Sequence, residues 1–90
     1  MQILNKNEIK KRINIKDIIS KYSDLKKIGS GKYRGLCIFH KEKAPSLTVY
    51  EDTQSFFCFG CGKGGDVINF IMLAEDLSFK EAIIFLSKFI

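Results

Sequence analysis

Apolar side chains recur at Ile15, Ile18, Ile19, Tyr22 and Leu25. That spacing of three and four marks one face of a helix. Asn14 suits its N-cap and Asp17 its first turn. Basic residues surround this stripe, and the pattern predicts a helical arm over about 6–28, ended by the stretch "GSGKY" at 29–33. From 33 to 61 the period changes to two. "KYRGLC", "SLTVY" and "SFFCF" read as short strands rich in β-branched and aromatic residues. Glu51-Asp52-Thr53-Gln54 lies between the last two and suits a four-residue hairpin loop. Helical spacing returns at 66–90. Asp66 can cap "VINFIMLAE", and Ser78 with Glu81 has the spacing of a capping box. The last stretch, "FKEAIIFLSKFI", is apolar on more than one face. It therefore packs against the first helix, the sheet or a further domain. Helices, then a small sheet, then helices make this an α+β chain.

Ninety residues leave room for one domain, taken as 1–90, with no internal repeat or low-complexity tract. Ordering each residue costs about 1–2 kcal/mol of backbone entropy, so a core this small needs a staple. Hydrophobic residues make up 46% and charged residues 28%, a globular composition. The apolar runs are too short to span a membrane, and "MQILNKNEIKKR" has no apolar core of a signal peptide. A cytoplasmic protein is the expectation. Fifteen Lys and Arg against ten Asp and Glu give a formal charge of +5. That excess fits either a polyanionic partner or a lysine-rich solvated surface.

The staple is legible in "CFGCGKGGD", Cys58 to Asp66, which spends four glycines around two thiols. Cys58-x-x-Cys61 is preceded by Cys37-x-x-His40, with seventeen residues between the pairs. Each pair can clasp a metal ion across a tight turn, a knuckle, so that one ion pins two strand-turn units together. Three thiolates and one imidazole make a closed tetrahedral zinc site. Gly60 and Gly62 are expected to supply backbone conformations, often with positive φ, that let amides point at the sulfurs. Gly64 and Gly65 then free the chain to start a helix at Asp66. A redox Cys-x-x-Cys pair would leave Cys37 and His40 unexplained. A rubredoxin iron site wants four thiolates, and a Rieske centre wants two histidines. The sequence therefore predicts one structural Zn²⁺ on Cys37, His40, Cys58 and Cys61. Such an ion supplies roughly 10–16 kcal/mol of apparent binding energy, which here is folding energy.

Lys41, Lys43 and Lys63 flank these knuckles. They can offset the local thiolate charge or meet phosphates. Tyr33, Phe39, Tyr50, Phe56, Phe57 and Phe59 crowd the β region, with Arg34, Lys41 and Lys43 among them. Phe56 and Phe57 are neighbours on a strand, so they point to opposite faces. The outward one either meets another domain or stacks on a base of single-stranded nucleic acid whose phosphates meet the cations. No set of carboxylates converges as nucleotidyl transfer requires, and no P-loop is present. No catalytic residue is assigned.

Taken together, "YRGLCIFHKEKAPSLTV", "FFCFGCGKGGDVINFI" and "LSFKEAIIFL" resemble the N-terminal zinc-binding domain of bacterial replicative DNA primases, over about residues 13–90. The resemblance implies a Cys-His-Cys-Cys zinc ribbon, about 33–64, on a small antiparallel sheet flanked by N- and C-terminal helices. It implies a part in recognising a short initiation sequence on single-stranded DNA, beside a separate polymerase domain in cis or in trans that makes the RNA primer. It further implies contact with the replicative helicase through the larger primosome complex. By the same resemblance Arg34, Lys43, Phe57 and Lys63 are the expected template contacts. The first knuckle departs from the usual Cys-Pro-Phe-His by carrying Ile38, and Lys43 to Leu47 departs from the usual Lys-Thr-Pro-Ser-Phe. Two other readings stand beside this one. The chain is a stand-alone DNA-binding accessory or regulatory protein of a mobile element, or it is a zinc-stabilised protein-interaction module docking through Ile84, Phe85, Phe89 and Ile90.

Overall fold

The computed structural model describes residues 5–41 and 43–90. It begins with two short helices, α1 (Lys6–Arg12) and α2 (Ile15–Ile19). Asn5 caps the first through the N–H of Glu8, and Asn14 caps the second through that of Lys16. The predicted arm to residue 28 is thus divided and shorter. Its hydrogen bonds run on as turns to Ser23, whose N–H donates to the carbonyl of Ile19. Beyond that point the chain extends, and Lys26–Gly29 is a strand, β1.

Four more strands complete an antiparallel meander in the order β1-β2-β3-β4-β5: β2 (Lys32–Gly35), β3 (Leu47–Tyr50), β4 (Ser55–Cys58) and β5 (Gly64–Gly65). The residues between β3 and β4 are the four expected from the sequence. Gln54 takes the left-handed conformation there, with φ of 52°. Gly64 and Gly65, read in the sequence as a flexible exit, pair with Phe57 and Phe56 and form the sheet edge. The helices α3 (Val67–Glu75) and α4 (Phe79–Ser87) follow. Asp66 caps α3, and Ser78 with Glu81 forms the predicted capping box on α4.

The register sorts the side chains into two faces. Lys27, Tyr33, Val49, Phe56 and Gly65 are aligned across the sheet on one face. Helices α2 and α3 pack against β3, β4 and β5, and the core they share includes Ile15, Ile18, Ile19, Val49, Phe56, Phe70, Ile71 and Leu86. The hairpin loop is tied to this layer. Gln54 Oε1 accepts from the N–H of Ile15, and Asn14 Nδ2 donates to Glu51 at 2.8 Å. Lys26, Arg34, Thr48, Phe57 and Gly64 are aligned on the opposite face. Phe56 is buried on the first face against the helices, whereas Phe57, on this opposite face, is 38% exposed. Among the described residues, no helix is long and apolar enough to cross a membrane.

Candidate metal centre

The two knuckles leave neighbouring points of the sheet. The end of β2 carries Cys37 two residues past Gly35, and β4 ends on Cys58 itself. The first knuckle is anchored from below. Phe39, between Cys37 and His40, turns inward and packs on Phe56 and Phe70 with ring centroids 6.2 and 5.4 Å away. Phe56 and Phe70 meet edge to face at 5.2 Å. The second knuckle closes through two backbone bonds. The N–H of Gly62 donates to the carbonyl of Cys58, and the N–H of Cys58 donates to that of Lys63, both at 2.8 Å.

Cys37, His40, Cys58 and Cys61 present one donor atom each, all within 4.8 Å of one another. The sulfurs of Cys37 and Cys61 lie 3.9 Å apart, and His40 Nδ1 lies 3.9 Å from the sulfur of Cys58. Zinc–sulfur bonds near 2.3 Å and a zinc–nitrogen bond near 2.0 Å place tetrahedral donors about 3.6–3.8 Å apart. The group therefore fits one structural Zn²⁺, and its donors fill all four positions. A disulfide would need sulfurs about 2.05 Å apart, and none of the three cysteines forms one.

The surroundings set the thiols apart. Burial pushes Cys37 up to about 12, against the N–H of Phe39 that donates to its sulfur at 3.4 Å. Burial also acts to raise Cys58. There the Ser46 hydroxyl, 3.2 Å from the sulfur, and the N–H groups of Cys61 and Gly60 outweigh it and hold the thiol at about 7. The second knuckle thus aims its amides at sulfur, as the glycines suggest, and favours a thiolate that a cation can take up.

The glycines achieve this by different means. Gly62 has φ of +80°, the region L side chains avoid. Gly60 does not. A β-carbon on Gly60 would lie 2.7 Å from His40 Nε2 and 2.9 Å from the Ser46 hydroxyl. Its role is close approach to the imidazole, which corrects the expectation of an unusual backbone at both positions.

Of the expected template contacts, the structure brings Arg34 and Phe57 into one row, with Thr48 between them. Arg34 Nε donates to the Thr48 hydroxyl at 3.4 Å. Lys43 and Lys63 stand apart from the row and are exposed on the knuckles. Lys43 lines a hollow with Leu36, Cys37, His40 and Lys41. Glu42, beside Lys43 in the motif, lies outside the described residues. Three neighbours on this face lie outside the expected set of template contacts. Phe59, 63% exposed, meets Phe57 edge to face at 4.9 Å. Lys26 pairs with Arg34, and Lys32 sits over the ring of Tyr50 at 5.9 Å. Alternation from Phe57 points to Phe59, while Lys26 was hidden by the helical reading of its segment.

Comparison with known proteins agrees with this geometry. The family model described as CHC2 zinc finger matches residues 2–90. DNA primase of Enterococcus faecalis is 54% identical over 76 residues, 84% of this chain and 12% of the relative. DNA primase of Aquifex aeolicus is 48% identical over 82 residues, 91% of this chain and 16% of the relative. The crystal structure of the Aquifex aeolicus primase, with its zinc-binding and RNA polymerase domains, superposes with a TM-score of 0.84 at 46% identity, covering 91% of this chain and 20% of that one. The chain thus spans only a small part of the length of these relatives. With the family model matched over residues 2–90, the fold superposed over 91% of the chain and four metal donors gathered at the knuckles, this chain belongs to the CHC2 zinc-finger family.

Proposed function

We propose that this chain is the template-contacting module of a DNA primase. Single-stranded DNA lies on the sheet face opposite the helices, and the contact helps select where RNA primer synthesis begins. The observation that carries this reading is the cross-strand row of Lys26, Arg34, Thr48 and Phe57, extended by Phe59. Exposed rings offer stacking surfaces, and the cations beside them meet phosphates. Zinc holds the two knuckles together at one end of this face and takes no part in bond making. The Aquifex primase structure joins zinc-binding and RNA polymerase domains. We assign primer synthesis to such a partner domain, in cis or in trans, acting in the cytoplasm, with any helicase contact made through the larger complex.

Titration of the zinc-loaded chain with short single-stranded oligonucleotides, across salt and sequence, tests this. Affinity is expected to fall linearly with salt on logarithmic axes, by about 0.7 per phosphate engaged. Phe57→Ala is expected to weaken binding about tenfold, one stacked base, with zinc content unchanged. Binding that ignores Phe57 removes the stacking assignment, and no binding at low salt removes the reading.

A protein-docking role draws on a different surface. Leu73, Phe79, Phe89 and Ile90 are exposed on the C-terminal helices and the residues after them. Ile84 and Phe85, expected in the same patch, are half-buried. Retained capture of a polymerase domain by a chain that binds no DNA would favour that role.

A further inference from the structure

At the β1–β2 end of the proposed template face lies a cleft lined by Asp24, Lys26, Arg34, Gly35, Leu36 and Pro45. Three observations show that it is built into the fold. Gly35 is buried, and a β-carbon there would lie 2.6 Å from the Ser23 hydroxyl and 2.9 Å from the Asp24 carbonyl. The bare glycine lets the segment before β1 close against the end of β2. The Ser23 hydroxyl donates to the Leu36 carbonyl at 2.7 Å and fixes that closure. Arg34 is steered by its Nε bond to Thr48.

The lining combines opposite chemistries. Leu36, 47% exposed, and Pro45 give apolar walls. Lys26 and Arg34 bring donors, and Asp24 brings the one acceptor carboxylate of the lining. Among the described residues, Asp24 enters no side-chain hydrogen bond and no ion pair with either cation. A phosphate site would exclude a carboxylate. A nucleobase edge suits one, because exocyclic amines donate to Asp and Glu while ring and carbonyl acceptors take Arg and Lys.

We infer that this cleft receives one unstacked template base and that Asp24 is a specificity-determining residue. The base it fits carries an exocyclic amine beside an acceptor, as guanine, cytosine and adenine do, and thymine is rejected because it offers no exocyclic amine to the carboxylate. The cleft adjoins Arg34 in the same row as Phe57, so a strand crossing the sheet stacks one base on Phe57 and turns another into the cleft. This inference rests on the proposed template role.

The test compares the zinc-loaded chain with Asp24→Asn. Probes are oligothymidylates of one length carrying a single central G, C, A or T, read by fluorescence anisotropy at fixed salt. The unmodified chain is expected to prefer G, C or A over T by about tenfold, and Asp24→Asn to lose most of that ratio while binding the all-T probe at least as tightly. A preference that survives Asp24→Asn, or a chain that binds all four probes alike, overturns the cleft assignment and leaves the template role standing. Failure to bind any probe overturns both. Asp24→Ser provides the same comparison if the amide variant loses zinc.

Discussion

The two central glycines of the second knuckle, Gly60 and Gly62, respond differently to one added carbon atom. An alanine at Gly62 meets nothing within 4 Å and suffers only from its backbone, φ +80°; the cost is about 1–2 kcal/mol. An alanine at Gly60 meets the His40 ring. In the metal-free chain that ring can swing aside, but a coordinated imidazole cannot. Gly60→Ala is therefore expected to weaken zinc binding about 10–100-fold, as loss of ligand support does. Competition with a chromogenic chelator measures it, and the same assay on Gly62→Ala is expected to show the smaller change. The four ligands were legible in the sequence because their spacing is chemistry. The contrast between the glycines was not, because it depends on where His40 lies in space.

At the scale of elements, caps and loops followed the sequence closely. Asn14, Asp66 and Ser78 each accept a backbone N–H where expected. Ser78→Ala removes one half of the α4 capping box and is expected to cost about 1 kcal/mol. In a domain of this size that lowers the thermal midpoint by about 4–8 °C, read by circular dichroism on the zinc-loaded chain. The other half is charge-dependent. The Ser78 N–H holds the Glu81 carboxyl below its ordinary value. A lowered folded value means its stabilisation is complete above the ordinary carboxylate range and fades as pH falls through that lowered value. The first strand escaped sequence reading for a physical reason. Tyr22 continues the helical stripe because turns extend past α2 to Ser23, so periodicity outlasts the helix. Lys26–Gly29 then carries exposed lysines, as edge strands do, and shows no apolar alternation. The Gly64–Gly65 strand has no side chains to alternate.

In the whole molecule, metal and core form one unit through Phe39, which links the first knuckle to Phe56 and Phe70. Zinc contributes roughly 10–16 kcal/mol in small sites, and domains are stable by only about 5–15 kcal/mol. Chelation is expected to abolish the cooperative melt and near-ultraviolet dichroism together, with recovery on adding zinc. A metal-free chain that keeps both would break the link. Acid acts in the same direction, since protons compete for thiolates and imidazole, so stability rises with pH until the ligands are free of protons.

Helices α2 and α3 pack on the sheet and share a core with Val49 and Phe56. Side chains that guide folding and those that face outward are consequently assigned to separate surfaces of the same plate. Exchanging Lys26, Asp24 or Phe57 is expected to leave the packed side intact, so under the proposed template role base preference can change without redesign of the interior.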